Sequence, residues 1–576
     1  MFATMNQWQK RMGLGNHSRV IGMVVGLGMA LLVALAIGVA LLAPISASAQ
    51  QANATHTIIP YKIAWLAFDG GGARSGDNYT ESAITPGTVG NLAQAWHVTL
   101  PAVVDGAPAE QPYVISDRTL RDLLFVTTIT GSLLAIDANN GAIIWQANHP
   151  AGSCKINNGS TTCYTTSSPA IDPNGKYVYS YGLDGYVHKH VVATGAEVKT
   201  GGWPELITLK PYDEKGSSSL NIGMGYLYVT TGGYPGDQGD YQGHVVAINL
   251  ATGVQHVFNA ICTNQPVHFV ENGSPDCDTV QSAIWARAGA VIDPVLNGIL
   301  MATGNGEFDG TGHDFGDSVF RLNLDGTGAN GYPLDSYTPT DFQQLDDDDA
   351  DLGSSAPALL AQQQGSRTPF MAFQIGKDGI ARLINRQNLS GQGGPGHVGG
   401  EVSQLDLSQY GEVLTQPVAW LNSDHTQWIF VANDNGLTAL TVHTDASGQS
   451  SLRVMYHNGD AGSSPFYAGG LLYVQGDGIL RALIPTTGHQ VWSAPVGSLH
   501  WQSPIVVNGM VFTTDNDGGM YAFSLNHCGA SVNAGHAPGR VCAKVSRSSG
   551  KTIAFVLYPA LAQTLVARLE DALHSA

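Results

Sequence analysis

The sequence predicts an all-β fold, an eight-bladed β-propeller of four-stranded antiparallel blades, and three observations carry that expectation. Composition is the first: Gly is abundant, at 71 residues, while charged residues make up only 12% of the chain. Strands joined by glycine-bearing turns give that profile, and a charged helical protein does not. The second is an internal repeat. In LLFVTTITGSLLAIDANNGAIIW, alternating strands flank Gly131, and Asp137, Gly141 and Trp145 follow at set offsets. Those offsets recur as Gly243, Asn249, Gly253, Val257 and as Gly478, Ile484, Gly488, Trp492, while Gly185 and Gly195 keep the glycine step. The third is a short apolar strand before each unit, usually opened by Ser or Gln and Pro. The eight are EQPYVI (110–115), SSPAI (167–171), SSLNI (218–222), ARAGAVI (286–292), SSAPAL (354–359), TQPVAW (415–420), SSPFY (463–467) and QSPIVV (502–507).

Each unit therefore reads strand, turn, strand, Gly turn, strand, Asx/Gly turn, strand. Gly takes the positive φ that tight hairpin turns need. Asp or Asn before the second turn bonds its own downstream backbone. The resulting small sheet is apolar on both faces, as in LLAI and VVAI. It must be covered on both, which radial stacking around an axis does. The last unit, QSPIVVNGMVFTTDNDGGMYAFSL, has no Trp strand after it, whereas LAQAWHVTL with Trp96 precedes the first. The N-terminal strand is expected to complete the eighth blade and close the ring.

The repeat GxLxAxDxxTGxxxW resembles that of the quinoprotein-type, or PQQ-like, β-propellers, in which the terminal Trp of one unit packs on the next blade. The opening segment AWLAFDGGGARSGDNYTESAITPGTVGNLAQAW (64–96) resembles the same family, as do ATGNGEFDG with FGDSVFRL (302–322), DADLGSSAPALL (349–360) and GKDGIARLINRQNLSG (376–391). The resemblance spans residues 60–526. It implies ligand chemistry, if any, at the mouth of the central channel. In the quinoprotein dehydrogenases pyrroloquinoline quinone and Ca²⁺ occupy that place. On the resemblance, Asn305 in TGNG matches the amide donor to Ca²⁺, Asp317 in FGDSV the general base, and Lys377 in GKDG the lysine on the quinone oxygens. Each has a plainer reading: Asn305 as an αL turn residue between glycines, Asp317 as a turn cap, and Lys377 as a solvated hairpin lysine. The family's vicinal Cys-Cys and its Ca²⁺-binding Glu are absent here. The corresponding loop, TGGYPGDQGDYQGHV, offers Asp237 and Asp240, and no C-x-x-C-H haem motif is present.

Lys10, Arg11 and Arg19, the apolar run 20–43 and Ala47-Ser48-Ala49 make residues 1–49 a signal peptide or an uncleaved signal anchor. Either places the remainder outside the cytoplasmic membrane, secreted or held at its outer face. The cysteines fall as near neighbours in such a compartment: Cys154 with Cys163, Cys262 with Cys277, Cys528 with Cys542. A metal site of His527, Cys528, His536 and Cys542 is the rival for the last pair. Residues 50–526 form the propeller. Residues 527–576 read as a disulfide loop followed by a strand and helix appendage. A net charge of −19 disfavours nucleic acid as a partner. The acidic run LDDDDADLG (345–353) reads as a solvated loop or a Ca²⁺ site. His188 and His190 share a strand face but lack an evident third ligand, so they read as ordinary.

Two functions remain. One is a non-catalytic binding or scaffold module of the cell envelope, its partner an envelope protein or a small molecule. The other is a quinone- and Ca²⁺-dependent oxidoreductase of the alcohol or sugar dehydrogenase type, using Asn305, Asp317 and Lys377.

Overall fold

The computed structural model describes residues 61–151, 162–235, 237 and 239–525. The signal segment, Cys154, and the pair Cys528 and Cys542 lie outside the described residues, as does the C-terminal appendage. Eight sheets of four strands each form the expected propeller, all pairings within the blades being antiparallel. Blade 1 comprises Ala109–Ser116, Thr119–Thr127, Ser132–Asp137 and Ile143–Asn148. Blades 2 to 7 open on Ala170–Ile171, Asn221–Gly223, Val291–Asp293, Ala358–Leu359, Val418–Leu421 and Phe466–Ala468. Blade 3 carries a further strand, Glu214–Gly216, against the second half of Tyr226–Gly233. Blade 8 joins the two ends of the described chain. Leu92–Thr99 pairs with Gly519–Leu525, from Leu92 opposite Leu525 to Thr99 opposite Gly519.

The opening repeat shows why strands this apolar stack radially. Leu124, Val126, Leu134 and Ile136 point into the cluster shared with Trp96, Phe512 and Ala522 of blade 8. Their alternates Leu123, Phe125, Leu133 and Ala135 point into the cluster with Ile171 and Val178 of blade 2. Successive strand residues face opposite sides, so an apolar run buries both faces only between two neighbours.

The Gly and Trp offsets have one cause. Trp145 Nε1 donates to Val192 O at 2.9 Å in blade 2. Trp96 Nε1 donates to Ala138 O at 2.9 Å in blade 1. Each indole lies on the glycine of the turn before the last strand of the next blade. A Cβ would stand 2.8 Å from the Trp96 ring at Gly141 and 2.6 Å from the Trp145 ring at Gly195. Both glycines have positive φ, 77° and 71°. Gly195→Ala is expected to cost about 1–3 kcal/mol through strain and the displaced indole, read by urea melting. Tyr456 replaces the indole in blade 6, its hydroxyl donating to Pro485 O at 2.7 Å.

Residues 65–78 cross the far ends of the innermost strands. Trp65 bridges Glu110, Ile171 N–H donates to Leu66 O, Ile292 N–H to Gly72 O, and Asp77–Asn78 runs parallel to Tyr467–Ala468. Arg74, fully buried, ties the crossing down by donating to the carbonyls of Phe68, Ser219, Leu220 and Ala288. The opposite end of the channel, where those strands begin, is left as the mouth.

Cys262 and Cys277 form the expected disulfide. Cys163 is disulfide-bonded as well. Among the described residues no helix is long and apolar enough to cross a membrane.

Candidate functional site

A cavity of about 310 Å³ opens at the channel mouth. Its walls come from the segments leading into the innermost strands, so neighbouring blades each contribute a few side chains. Tyr164 and Thr166 lead into blade 2, Lys215 and Ser217 into blade 3, and Trp285 and Arg287 into blade 4. Asp349 and Asp351 lead into blade 5, and His500 and Trp501 into blade 8.

The charge in this cavity is unevenly neutralised. Lys215 donates to Ser217 Oγ at 3.1 Å and lies over the rings of Tyr164 and Tyr234, at 5.2 and 5.7 Å. Among the described residues no carboxylate lies within 4.0 Å of its ammonium. Burial, helped by the nearby Arg287 charge, pulls Lys215 down to about 8. Arg287 is held by carbonyls, those of Asp105 at 2.9 Å, Thr166 at 2.8 Å and Ser217 at 3.4 Å. Its Nε has no partner, and burial lowers its affinity for the proton. Two buried cations thus share one wall without a carboxylate bonded to either. Trp285 and Trp501 supply indoles set edge to face at 6.1 Å.

Lys377, the lysine singled out in GKDG, lines the same cavity, but it is paired. Its ammonium lies against Asp351 Oδ2 and 2.9 Å from Asp349 Oδ1, and 5.7 Å from the Trp285 ring. Burial opposes its charge, and the Asp351 and Asp349 carboxylates together outweigh burial and hold the lysine above its ordinary value.

Asn305 and Asp317 gather around the same acid without lining the cavity. Asn305 N–H donates to Asp351 Oδ1 at 2.7 Å, and Leu352 N–H donates to Asp317 Oδ1 at 2.9 Å. The structure therefore brings together the three residues named from sequence, with Asp351–Leu352 as the hub. The motif glycines allow that approach: a Cβ on Gly304 would stand 1.9 Å from Asp351 Oδ1, and one on Gly376 would stand 2.4 Å from Asp351 O. The acidic run is thus only partly solvated. Asp346 Oδ1 accepts from Gly306 N–H, and Asp351 is 3% exposed.

Asp317 Oδ2 is buried and has no partner. Burial, with the Asp351, Asp346 and Asp378 charges, pushes Asp317 up to about 8 against the Leu352 N–H. A value raised above the ordinary 3.8 means the folded state holds this proton more tightly. Its contribution favours folding at low pH and is lost as pH rises through about 8. Asp317→Asn is therefore expected to melt like the parent near pH 3 and to gain on it as pH rises from about 4 to about 8. At pH 9 it should be more stable by several kcal/mol, with about 1.4 kcal/mol per pH unit over the interval from 3.8 to about 8 as the upper bound.

Sequence reasoning missed Asp351, Lys215, Arg287 and the two indoles. Asp351 stood in the quoted DADLGSS and Arg287 in ARAGAVI, but their neighbours across blades are visible only in the ring. His188 and His190, which read as ordinary in the sequence, meet a third imidazole in the structure, His149 of blade 1.

Residues 415–532 match the PQQ_2 family profile, described as outer membrane protein assembly factor BamB. A search of curated proteins finds no match. Among solved structures the chain is similar to quinohemoprotein alcohol dehydrogenase ADHIIG from Pseudomonas putida. The two are 14% identical with a TM-score of 0.53, covering 83% of this chain and 82% of that one. The quinohemoprotein alcohol dehydrogenase of Comamonas testosteroni gives 14% and 0.53, with 82% of each chain covered. A europium-containing methanol dehydrogenase gives 14% and 0.53, with 80% of this chain and 98% of that one covered. At that identity the likeness is one of fold: the PQQ-like eight-bladed propeller.

Proposed function

We propose that the chain is an exported binding propeller whose channel mouth holds a small, flat, multiply negative molecule without turning it over. The observation that carries this reading is the pair Lys215 and Arg287, buried side by side in the cavity wall with no bonded carboxylate among the described residues. A buried cation is costly unless paired, and an anionic ligand seated against Trp285 and Trp501 would pair both. Asp317 and Asn305, the family's base and amide positions, stand behind Asp351 rather than in the cavity lining. Export rests on the N-terminal segment and is in keeping with the Cys262–Cys277 disulfide. An envelope setting agrees with the assembly-factor profile matched by residues 415–532.

The second reading is the quinone-dependent oxidoreductase, favoured by the gathering of Asn305, Asp317 and Lys377 at one end of the channel. The residues fit the group in part. Lys215, Arg287 and Lys377 would meet the carboxylates and oxygens of pyrroloquinoline quinone, and an indole one of its ring faces. Asp317 Oδ2, buried and unpaired, with Asn305 would offer oxygen donors to Ca²⁺. When bound, the quinone would supply the two-electron acceptor. Asp317 holds its proton up to about pH 8, so it serves as a base only if a neighbouring cation lowers that value.

One experiment tests both readings. Pyrroloquinoline quinone, a planar tricarboxylate, is added to the full chain with and without Ca²⁺. Melting temperature and dye-linked alcohol and aldose oxidation are then followed. Saturable stabilisation without turnover is expected. Ca²⁺-dependent turnover lost in Asp317→Ala would replace the binding reading with the oxidoreductase. No stabilisation under either condition would overturn the site itself.

A further inference from the structure

Away from the channel mouth, three imidazoles and two carboxylates meet at the seam between blades 1 and 2. His149 follows the last strand of blade 1. His188 and His190 lie on Tyr186–Val191 of blade 2, Asp184 sits in the turn before that strand, and Glu197 follows it. His149 Nε2 stands 3.0 Å from His190 Nε2, and the His149 ring is stacked on His188 with centroids 3.4 Å apart. His188 Nε2 lies 3.1 Å from both carboxylate oxygens of Asp184, and its Nδ1 lies 2.7 Å from Glu197 Oε1. Donor atoms of His149, Asp184 and His188 all fall within 4.8 Å of one another.

The chemistry of His188 is the informative part. A neutral imidazole carries one N–H and one lone pair. Here both nitrogens face carboxylates, so one face would set a lone pair against negative oxygen. The arrangement calls for positive charge at Nε2, supplied by a proton or by a metal ion that replaces it. Glu197 fixes the Nδ1 proton and leaves Nε2 to the ligand, as carboxylate-backed metal histidines require. His190 is oriented the same way: its Nδ1 faces Gly195 O at 2.9 Å, which turns its Nε2 lone pair toward His149. Backbone bonds hold His149 in place, since Leu183 N–H donates to His149 O at 2.9 Å and His149 N–H to Gly131 O at 3.2 Å.

The space is provided by Gly182. A Cβ there would stand 2.6 Å from Asp184 Oδ1 and 2.8 Å from both His188 Nε2 and His149 Cβ. The 3.1 Å from His188 Nε2 to Asp184 is close to the separation of two ligands on a four-coordinate ion with bonds of about 2.0–2.1 Å, and the His149 donor lies within 4.8 Å of both. An imidazole-rich set with one carboxylate suits a late first-row divalent ion and not Ca²⁺ or Mg²⁺, which take oxygen ligands.

We propose that His149, His188 and Asp184 form a Zn²⁺-class site, with solvent completing the coordination and His190 and Glu197 as positioning residues, clipping blade 1 to blade 2. The ion takes His188 Nε2 and Asp184, and the His149 ring tilts out of its stack to present Nε2. Any proton on His188 Nε2 is released to solvent.

The test uses the full chain after dialysis against a chelator, titrated calorimetrically with Zn²⁺ and, in parallel, with Ca²⁺. Co²⁺ is added as the optical probe. Expected are saturable Zn²⁺ binding, a rise in melting temperature, and visible Co²⁺ bands of a four-coordinate nitrogen–oxygen site. Asp184→Asn lies in an exposed turn and is expected to fold and to bind at least about 10-fold more weakly. Glu197→Gln should lose about 10–100-fold in affinity, and His149→Gln should abolish the Co²⁺ bands. Absence of Zn²⁺ binding would overturn the proposal. So would binding unchanged in both His149→Gln and Asp184→Asn, which would place the ion elsewhere in the chain.

Discussion

Trp96→Ala is expected to destabilise the propeller by about 3–5 kcal/mol, the range for removing a packed indole. Deletion of residues 92–99 is expected to abolish cooperative unfolding altogether. The strand Leu92–Thr99 supplies the outer edge of blade 8 and is the covalent N-terminal side of a ring otherwise closed only by packing. Trp96 is 9% exposed, packs near Phe512 at 6.1 Å, and donates to Ala138 O in blade 1. The same strand receives blade 7, because Trp492 Nε1 donates to Leu92 O at 3.3 Å. Without it, Gly519–Leu525 becomes an open edge, and two blade junctions lose their partners together. Urea melts followed by fluorescence and by circular dichroism check this. A deletion that unfolds with the midpoint and slope of the intact chain would contradict ring closure.

Lys215→Met is expected to weaken binding of pyrroloquinoline quinone at least 100-fold, about 2.8 kcal/mol, while raising the melting temperature of the unliganded protein. The two effects share one origin. Lys215 is 7% exposed, bonded to a hydroxyl, and pulled down to about 8 by burial and by Arg287. A lysine with a lowered value is less protonated folded than unfolded. Its burden on stability is therefore present at neutral pH and fades as pH rises from about 8 toward the ordinary 10.5. Methionine keeps the volume and removes the charge, so the burden disappears and so does the anchor. A purely structural lysine would behave oppositely, with lower stability and unchanged binding. Melting curves at pH 7 and pH 10 with and without the quinone separate the cases.

Much of the fold was legible because its rule is local. Gly131, Asp137, Gly141 and Trp145 each do something within one blade or at the next junction, and the offset between them is set by strand length. Trp96 was legible as the strand without a unit of its own. The site was legible only where motif glycines marked close approach: Gly304 and Gly376 flank Asp351, which is why Asn305 and Lys377 stand together. Lys215 has no local signature, since its environment is made by Tyr164 of the segment before blade 2 and Arg287 of the segment before blade 4. His149 was missed for the same reason. It lies far along the chain from His188 and His190 and meets them only because adjacent blades do.

The central claim is that the channel mouth is a site for a small planar anion. Equilibrium dialysis of pyrroloquinoline quinone against the full chain, with and without Ca²⁺ and beside the Lys215→Met variant, tests it most directly. Saturable binding of one quinone per chain, lost in the variant, is the expected result. No binding, or binding of equal strength in the variant, would contradict it.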